Sequence, residues 1–180
     1  MTFQPIPTSR LRLRSLEPRD APALSAYRSN PDVARLQSWS APYSIPATLE
    51  LIQSTRTRDI TDLGWTQIGV ATLESDALIG DIGCNRVDAG TLELGFTLSK
   101  DCQGQGIMRE AIEALLTHAF ETGVQRVTAT TDVRNTASQG LLTRLGFTLE
   151  RVLKDSWLED GTYVDEHLYA LALQKSTPRA

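Results

Sequence analysis

Gly104 and Gly106 stand one residue apart between a strand-like run over 91–99 and a helix-like run over 107–120. A strand that becomes a helix through a glycine turn leaves the first helical N–H groups without partners. Those donors and the positive end of the helix dipole suit an anion, above all a phosphate or pyrophosphate. Two common phosphate loops fail here. A P-loop requires Lys and then Ser or Thr after its last glycine, but Ile107 follows Gly106. The dinucleotide fingerprint requires glycine where Arg109 stands. A tight turn with both glycines at positive φ explains the same residues, so the flanking sequence has to decide.

Patterning along the chain predicts a strand over 10–14, a helix over 20–29 ended by Asn30-Pro31, a short helix over 32–36 and a loop over 38–44. A helix over 45–58 follows, with Pro46 in its first turn. Strands over 65–73, 77–86 and 91–99 are separated by turn residues and read as a meander. After the glycine turn, Met108, Ala111, Ile112, Leu115, Leu116 and Ala119 share one helical face. A strand over 126–133, a helix over 135–145 capped by Asn135, a strand over 147–152 and a strand over 163–173 complete the order, the last two joined by a hairpin at Asp160-Gly161. Such an order demands a mixed sheet covered by helices, an α/β or α+β fold.

At 180 residues the chain is expected to be one domain over 1–180, with its core over 9–173 and a frayed tail over 174–180. No apolar run is long enough to span a bilayer, and the N-terminus lacks a basic region followed by an apolar stretch, so a cytoplasmic protein is expected. Cys84 and Cys102 make no disulfide framework, and no Cys/His cluster has zinc spacing, so no metal is expected. A net charge of −4 argues against duplex nucleic acid as the main partner.

The order of elements, the turn 103–108, and Asn135-x-x-Ser138 followed by Leu145-Gly146-Phe147 resemble the GNAT superfamily of N-acetyltransferases. More narrowly they resemble its RimJ/RimL-like branch, which includes enzymes that acetylate the N-termini of ribosomal proteins. The strings over 9–14, 78–83, 92–96, 110–111 and 160–165 match that branch in order, and the resemblance covers roughly 9–173. It implies a mostly antiparallel central sheet of about seven strands, flanked by helices and splayed at the cofactor site. It also implies direct transfer of acetyl from acetyl-CoA to a primary amine, either a protein N-terminus or a small molecule, by a monomer or homodimer.

By the same resemblance Gln103, Gly104, Gln105, Gly106, Ile107, Met108 and Arg109 form the pyrophosphate loop. Met108 departs from the family's small residue, and its spacing turns it toward the helix's apolar face. The backbone of Phe96, Thr97 and Leu98 would pair with the pantetheine arm as an added strand. Many relatives carry a proton-donating Tyr where Leu142 stands here, and some carry a catalytic Glu where Thr130 stands. The resemblance therefore points to Ser138 as the acid, with Asn135 beside it on the cofactor, and to Glu93 as a base acting through water, ahead of Asp132. Trp39, Tyr43 and Asp165 are the candidates for the acceptor site, and Trp65 reads as core. A plain N-cap for Asn135, a surface hydroxyl for Ser138, a solvated carboxylate for Glu93 and an exposed strand face for Asp165 account for the same residues. His118 reads as structural, and Cys102 as a thiol near a helix start.

Overall fold

The computed structural model of the chain describes residues 2–159 and 162–173. Its elements are β1 (Ile6–Pro7), β2 (Leu11–Ser15), α1 (Ala21–Ser29), α2 (Pro31–Ala34), α3 (Ile45–Thr55), β3 (Gly64–Thr72), β4 (Leu78–Arg86), β5 (Thr91–Leu98), α4 (Ile107–Glu121), β6 (Arg126–Asp132), α5 (Thr136–Arg144), β7 (Thr148–Glu159) and β8 (Thr162–Ala172). The strands form one eight-stranded sheet in the order β1-β2-β3-β4-β5-β6-β8-β7. β5 and β6 run parallel, and the other pairings are antiparallel. This is the mixed, mostly antiparallel sheet expected, with the two-residue β1 added at its edge. The expected tail and the Asp160-Gly161 turn lie outside the described residues.

Alternation decides which face each strand buries. Ile68 and Val70 of β3, Ile82 and Cys84 of β4, and Leu92 and Leu94 of β5 point into one core cluster with Leu11 and Leu13 of β2. α4 closes that face with all six residues of its apolar stripe, Met108 included. Each fully buried Leu or Ile there stabilises the fold by about 1.5–3 kcal/mol. A second cluster joins α1 and α3 to Leu16 and Leu78. Between these helices and the sheet lies Asp81, 1% exposed. It accepts from Tyr27 Oη at 2.5 Å, from Arg28 Nη2 at 2.6 Å and from Gln67 Nε2. A buried carboxylate needs such partners, because removing it from water is otherwise prohibitive.

Two boundaries differ from the sequence expectation by three residues or more. α3 ends at Thr55 rather than at 58, because Arg56-Thr57-Arg58 offers no apolar residue for the stripe to continue. β7 runs to Glu159 rather than stopping at 152. It passes through an irregularity between Leu153 and Trp157, where Asp155 takes φ 49°. Asp165 of β8 holds that bulge, accepting from Asp155 N at 3.1 Å and pairing with Lys154 Nζ at 2.5 Å. The polar run Lys154-Asp155-Ser156 hides the strand from a hydrophobic count.

Candidate active site

The register of β5 creates the site. β5 pairs with β4 from Leu92 to Leu98, but with β6 only through Thr91, Glu93 and the residue between them. Beyond Glu93, β6 stays with β8 as far as Asp132, so β5 and β6 part. A cleft of about 400 Å³ opens in the gap. Glu93, Leu94, Gly95 and Phe96 wall one side, and Ala129, Thr130, Thr131 and Asp132 the other. A Cβ built on Gly95 would meet nothing within 4 Å, so the backbone there faces open space.

α5 delivers Asn135, Ser138 and Leu142 to the same cleft. Asn135 is the N-cap of that helix, its Oδ1 accepting from Ser138 N at 3.1 Å. The cap fixes the first turn and so the direction of Ser138, whose Oγ has no hydrogen-bond partner among the described residues. Glu93 Oε2 accepts from Asn85 Nδ2 at 3.0 Å. Asp132 is held differently. Hydrogen bonds from Arg134, at 2.8 Å from Nε and 2.5 Å from Nη2, keep its carboxyl below the usual range, which leaves it a poor base. Leu142 and Thr130 do line the cleft.

The loop lies at the end of β5. Gly104 and Gly106 take φ 74° and 73°, the left-handed region that disfavours other residues. Gly106 is the N-cap of α4. The N–H groups of Gly106, Ile107, Met108 and Arg109 find no acceptor among the described residues. Met108 turns inward and is buried, leaving the loop's outer face clear. Arg109 pairs with Glu113 at 2.8 Å, one turn on. Gln103 Nε2 donates to the Leu98 carbonyl at 3.0 Å and Gln105 Nε2 to that of Asp101 at 2.9 Å. Phe96 lines the cleft, whereas Thr97 and Leu98 are buried and do not.

The three expected acceptor residues lie elsewhere. Trp39 and Tyr43 stack with the Arg28 guanidinium, at 4.3 and 5.1 Å from the ring centroids, and do not line the cleft. Arg28 is buried there and paired with Asp81 at 2.6 Å. Asp165 faces Lys154, and its neighbour Glu166 is the one that lines the cleft. Trp65 also corrects its expectation. It is 51% exposed and lines the cleft with Leu36, Gln37 and Ser38. With Ile68 and Val70 inward, strict alternation puts Trp65 on the opposite face, a signal the sequence did carry. His118 packs edge-on against Phe3 at 5.7 Å, a structural contact. Burial and neighbouring Asp101 push the Cys102 thiol up, opposite to an activated thiolate.

Residues 10–148 match the acetyltransferase (GNAT) domain family. The chain belongs to the GNAT acetyltransferases. Its relatives include an N-acetyltransferase, p20, of Bacillus licheniformis, 29% identical over 171 residues and covering 91% of this chain and 93% of the relative. The ribosomal-protein-serine acetyltransferase of Escherichia coli is 37% identical over 100 residues, which cover 54% of this chain and 56% of that enzyme. Among solved structures, the RimL ribosomal-protein α-N-acetyltransferase in complex with coenzyme A superposes with a TM-score of 0.81 at 25% identity, covering 94% of this chain and 98% of that one. A GNAT acetyltransferase from Bacillus anthracis shares the fold with a TM-score of 0.85. This GNAT acetyltransferase thus has RimL-like ribosomal-protein acetyltransferases among its relatives and structural neighbours. Among its described residues no group of three or more His, Cys, Asp and Glu is disposed to hold a metal ion, and no helix is long and apolar enough to cross a membrane.

Proposed function

We propose that this enzyme transfers acetyl from acetyl-CoA to the α-amine of a protein N-terminus in the cytoplasm. The observation that carries the reading is the parting of β5 from β6 with Ser138 and Glu93 both on the resulting cleft, beside a helix start with unpaired N–H groups. The site fits a CoA thioester. The amides from Gly106 to Arg109 suit its pyrophosphate, and the free β5 edge beside Gly95 and Phe96 suits the amides of its pantetheine arm. The Leu98 carbonyl is already engaged by Gln103, so that arm is assigned to the Gly95–Phe96 end.

When bound, acetyl-CoA supplies an activated acyl group. The amine nitrogen bonds to the thioester carbon, the C–S bond breaks, and the thiolate needs a proton. Ser138 Oγ, on the cleft and next to the Asn135 cap, is positioned to give it while taking one from solvent water, so that the hydroxyl is restored. Glu93, reached through water, takes the proton that the amine loses. An α-amine has a pKa near 8 against about 10.4 for lysine, so an N-terminus needs the weaker base that this cleft offers. The similarity to the E. coli ribosomal-protein-serine acetyltransferase supports the same acceptor class.

The test is release of free CoA, followed with a thiol reagent. Peptides with free Ser or Ala N-termini are compared with the same peptides blocked, and with small amines. Release with free N-termini alone supports the proposal. Release with small amines alone redirects it to a small-molecule acceptor. Binding of acetyl-CoA without release to any amine points instead to a noncatalytic acyl-CoA-binding module.

A further inference from the structure

The side chain of Glu110, on the first turn of α4, gathers four donors from the segment before β2. Its Oε1 accepts from Thr8 Oγ1 at 2.6 Å, Ser9 Oγ at 2.9 Å and Arg10 N at 2.9 Å, and its Oε2 from Arg10 Nε at 2.7 Å. An exposed ion pair usually contributes little, because two long side chains must be held still for it. Here the carboxylate is held from four sides, and the fixed partner is the guanidinium. Its remaining edge faces the glycine loop. Arg10 Nη1 donates to the Gln105 carbonyl at 3.1 Å, and Nη2 stands 3.8 Å from where a Cβ on Gly106 would be.

The Gln105 carbonyl and the Gly106 N–H belong to one peptide unit. That unit is trans, since Ala41-Pro42 is the cis bond among the described residues. In a trans peptide the C=O and N–H point in opposite directions. A group that grips the carbonyl from behind therefore turns the N–H to the front. It also polarises the peptide, making that N–H a better donor. Gly106, on its C-terminal side, is at positive φ and carries no Cβ, so from that side this peptide has few steric constraints of its own. We infer that Arg10, locked by Glu110, is a positioning residue that sets the Gln105–Gly106 peptide so that the Gly106 N–H faces the cofactor's pyrophosphate. The inference rests on the acetyl-CoA reading proposed above.

Direct contact of Arg10 with a phosphate is the rival explanation, and the two predict opposite signs. If Arg10 touched phosphate, Glu110 would compete for it, and Glu110→Gln would tighten binding. If Arg10 acts from behind the loop, Glu110→Gln frees it to wander and weakens binding. Titration calorimetry with acetyl-CoA and with S-acetylpantetheine, which lacks the pyrophosphate, separates them. The expected result is that Arg10→Ala and Glu110→Gln each weaken acetyl-CoA about tenfold, the loss of one well-placed hydrogen bond, and leave S-acetylpantetheine unchanged. Arg10→Lys should not restore binding, because an ammonium cannot span Glu110 and the Gln105 carbonyl as a fork does. Tighter or unchanged acetyl-CoA binding by Glu110→Gln, or rescue by lysine, would overturn the inference. So would a parallel loss of S-acetylpantetheine, which would mark a general support of the fold. If the wild type bound S-acetylpantetheine but not acetyl-CoA, the pyrophosphate-loop reading itself would fail, and this inference with it.

Discussion

Trp65 lies on Gly83. The ring's Cζ3 is 3.2 Å from where a Cβ on Gly83 would stand, so the indole occupies the room that a side chain would have filled. One ring face rests on the sheet, and the residue lines the cleft on the same side as Glu93, with Asn85 between them in register. An aromatic face beside a carboxylate favours a cation, which is how an acceptor amine arrives. Gly83→Val should displace the ring, and Trp65→Ala should remove it. Either change is expected to raise KM for the acceptor peptide roughly tenfold while leaving acetyl-CoA affinity unchanged. Steady-state kinetics with each substrate varied in turn would check this.

Ser138→Ala deletes a hydroxyl that supports no other contact among the described residues. Acetyl-CoA binding and the melting temperature should therefore hold, while kcat falls about 10²-fold or more. Asn135→Ala should do more. Losing the cap costs α5 about 1 kcal/mol and also releases Ser138, so stability and kcat fall together. An unchanged kcat in Ser138→Ala would remove the serine from the chemistry.

Gly106→Ala puts a Cβ into the left-handed region at φ 73°, with no neighbour closer than Arg10 Nη2 at 3.8 Å. The penalty is thus conformational rather than steric, about 1–2 kcal/mol. Gly106→Arg adds a long side chain at the mouth of the proposed phosphate site and should abolish acetyl-CoA binding. Calorimetric titration of the two variants would show whether strain and obstruction separate as expected.

Asp81→Ala leaves Arg28 and Tyr27 buried without their acceptor. Breaking a buried ion pair from one side costs about 3–5 kcal/mol, so urea denaturation should show a loss of that size. Arg28 would also lose its anchor beneath Trp39 and Tyr43. Tryptophan fluorescence should change with it.

Glu110 predicts a pH dependence. Partial burial works to raise its carboxyl, but hydrogen bonds from Thr8, Arg10 and Ser9 prevail and bring it down to about 2, from an ordinary 4.5. The folded value is the lower one, so the stabilisation is present above about pH 4.5 and is lost as pH falls toward 2. After allowance for solvent screening it amounts to about 2 kcal/mol at neutral pH. The stability difference between wild type and Glu110→Gln, measured by urea unfolding, should shrink across that window.

The order of strands and helices was legible because alternation and helical spacing report burial directly. The α4 stripe from Met108 to Ala119 is buried at every residue counted toward it. The cap at Asn135 and the glycine turn were legible for the same reason, since each needs one residue type at one place. The acceptor side was not. Trp39 and Tyr43 look like a binding pair in a loop, but their partner, Arg28, is brought to them by Asp81 from a strand far along the chain. Asp165 and Glu166 differ only in which way the strand faces, and the bulge in β7 that engages Asp165 is invisible in a run of polar residues. Local pattern reads local structure. It does not read which side chains distant strands bring together.

Three residue pairs along Thr91–Glu93 are the whole ladder between β5 and β6. They form a seam between two half-sheets, β1 to β5 on one side and β6, β8 and β7 on the other. A molecule that pairs with the free edge of β5 lengthens that seam. Occupancy of the cleft should therefore be read most clearly in amide exchange: slow along β3 and β4 in either state, and slowed on binding from Leu94 to Phe96, where the half-sheets would otherwise breathe.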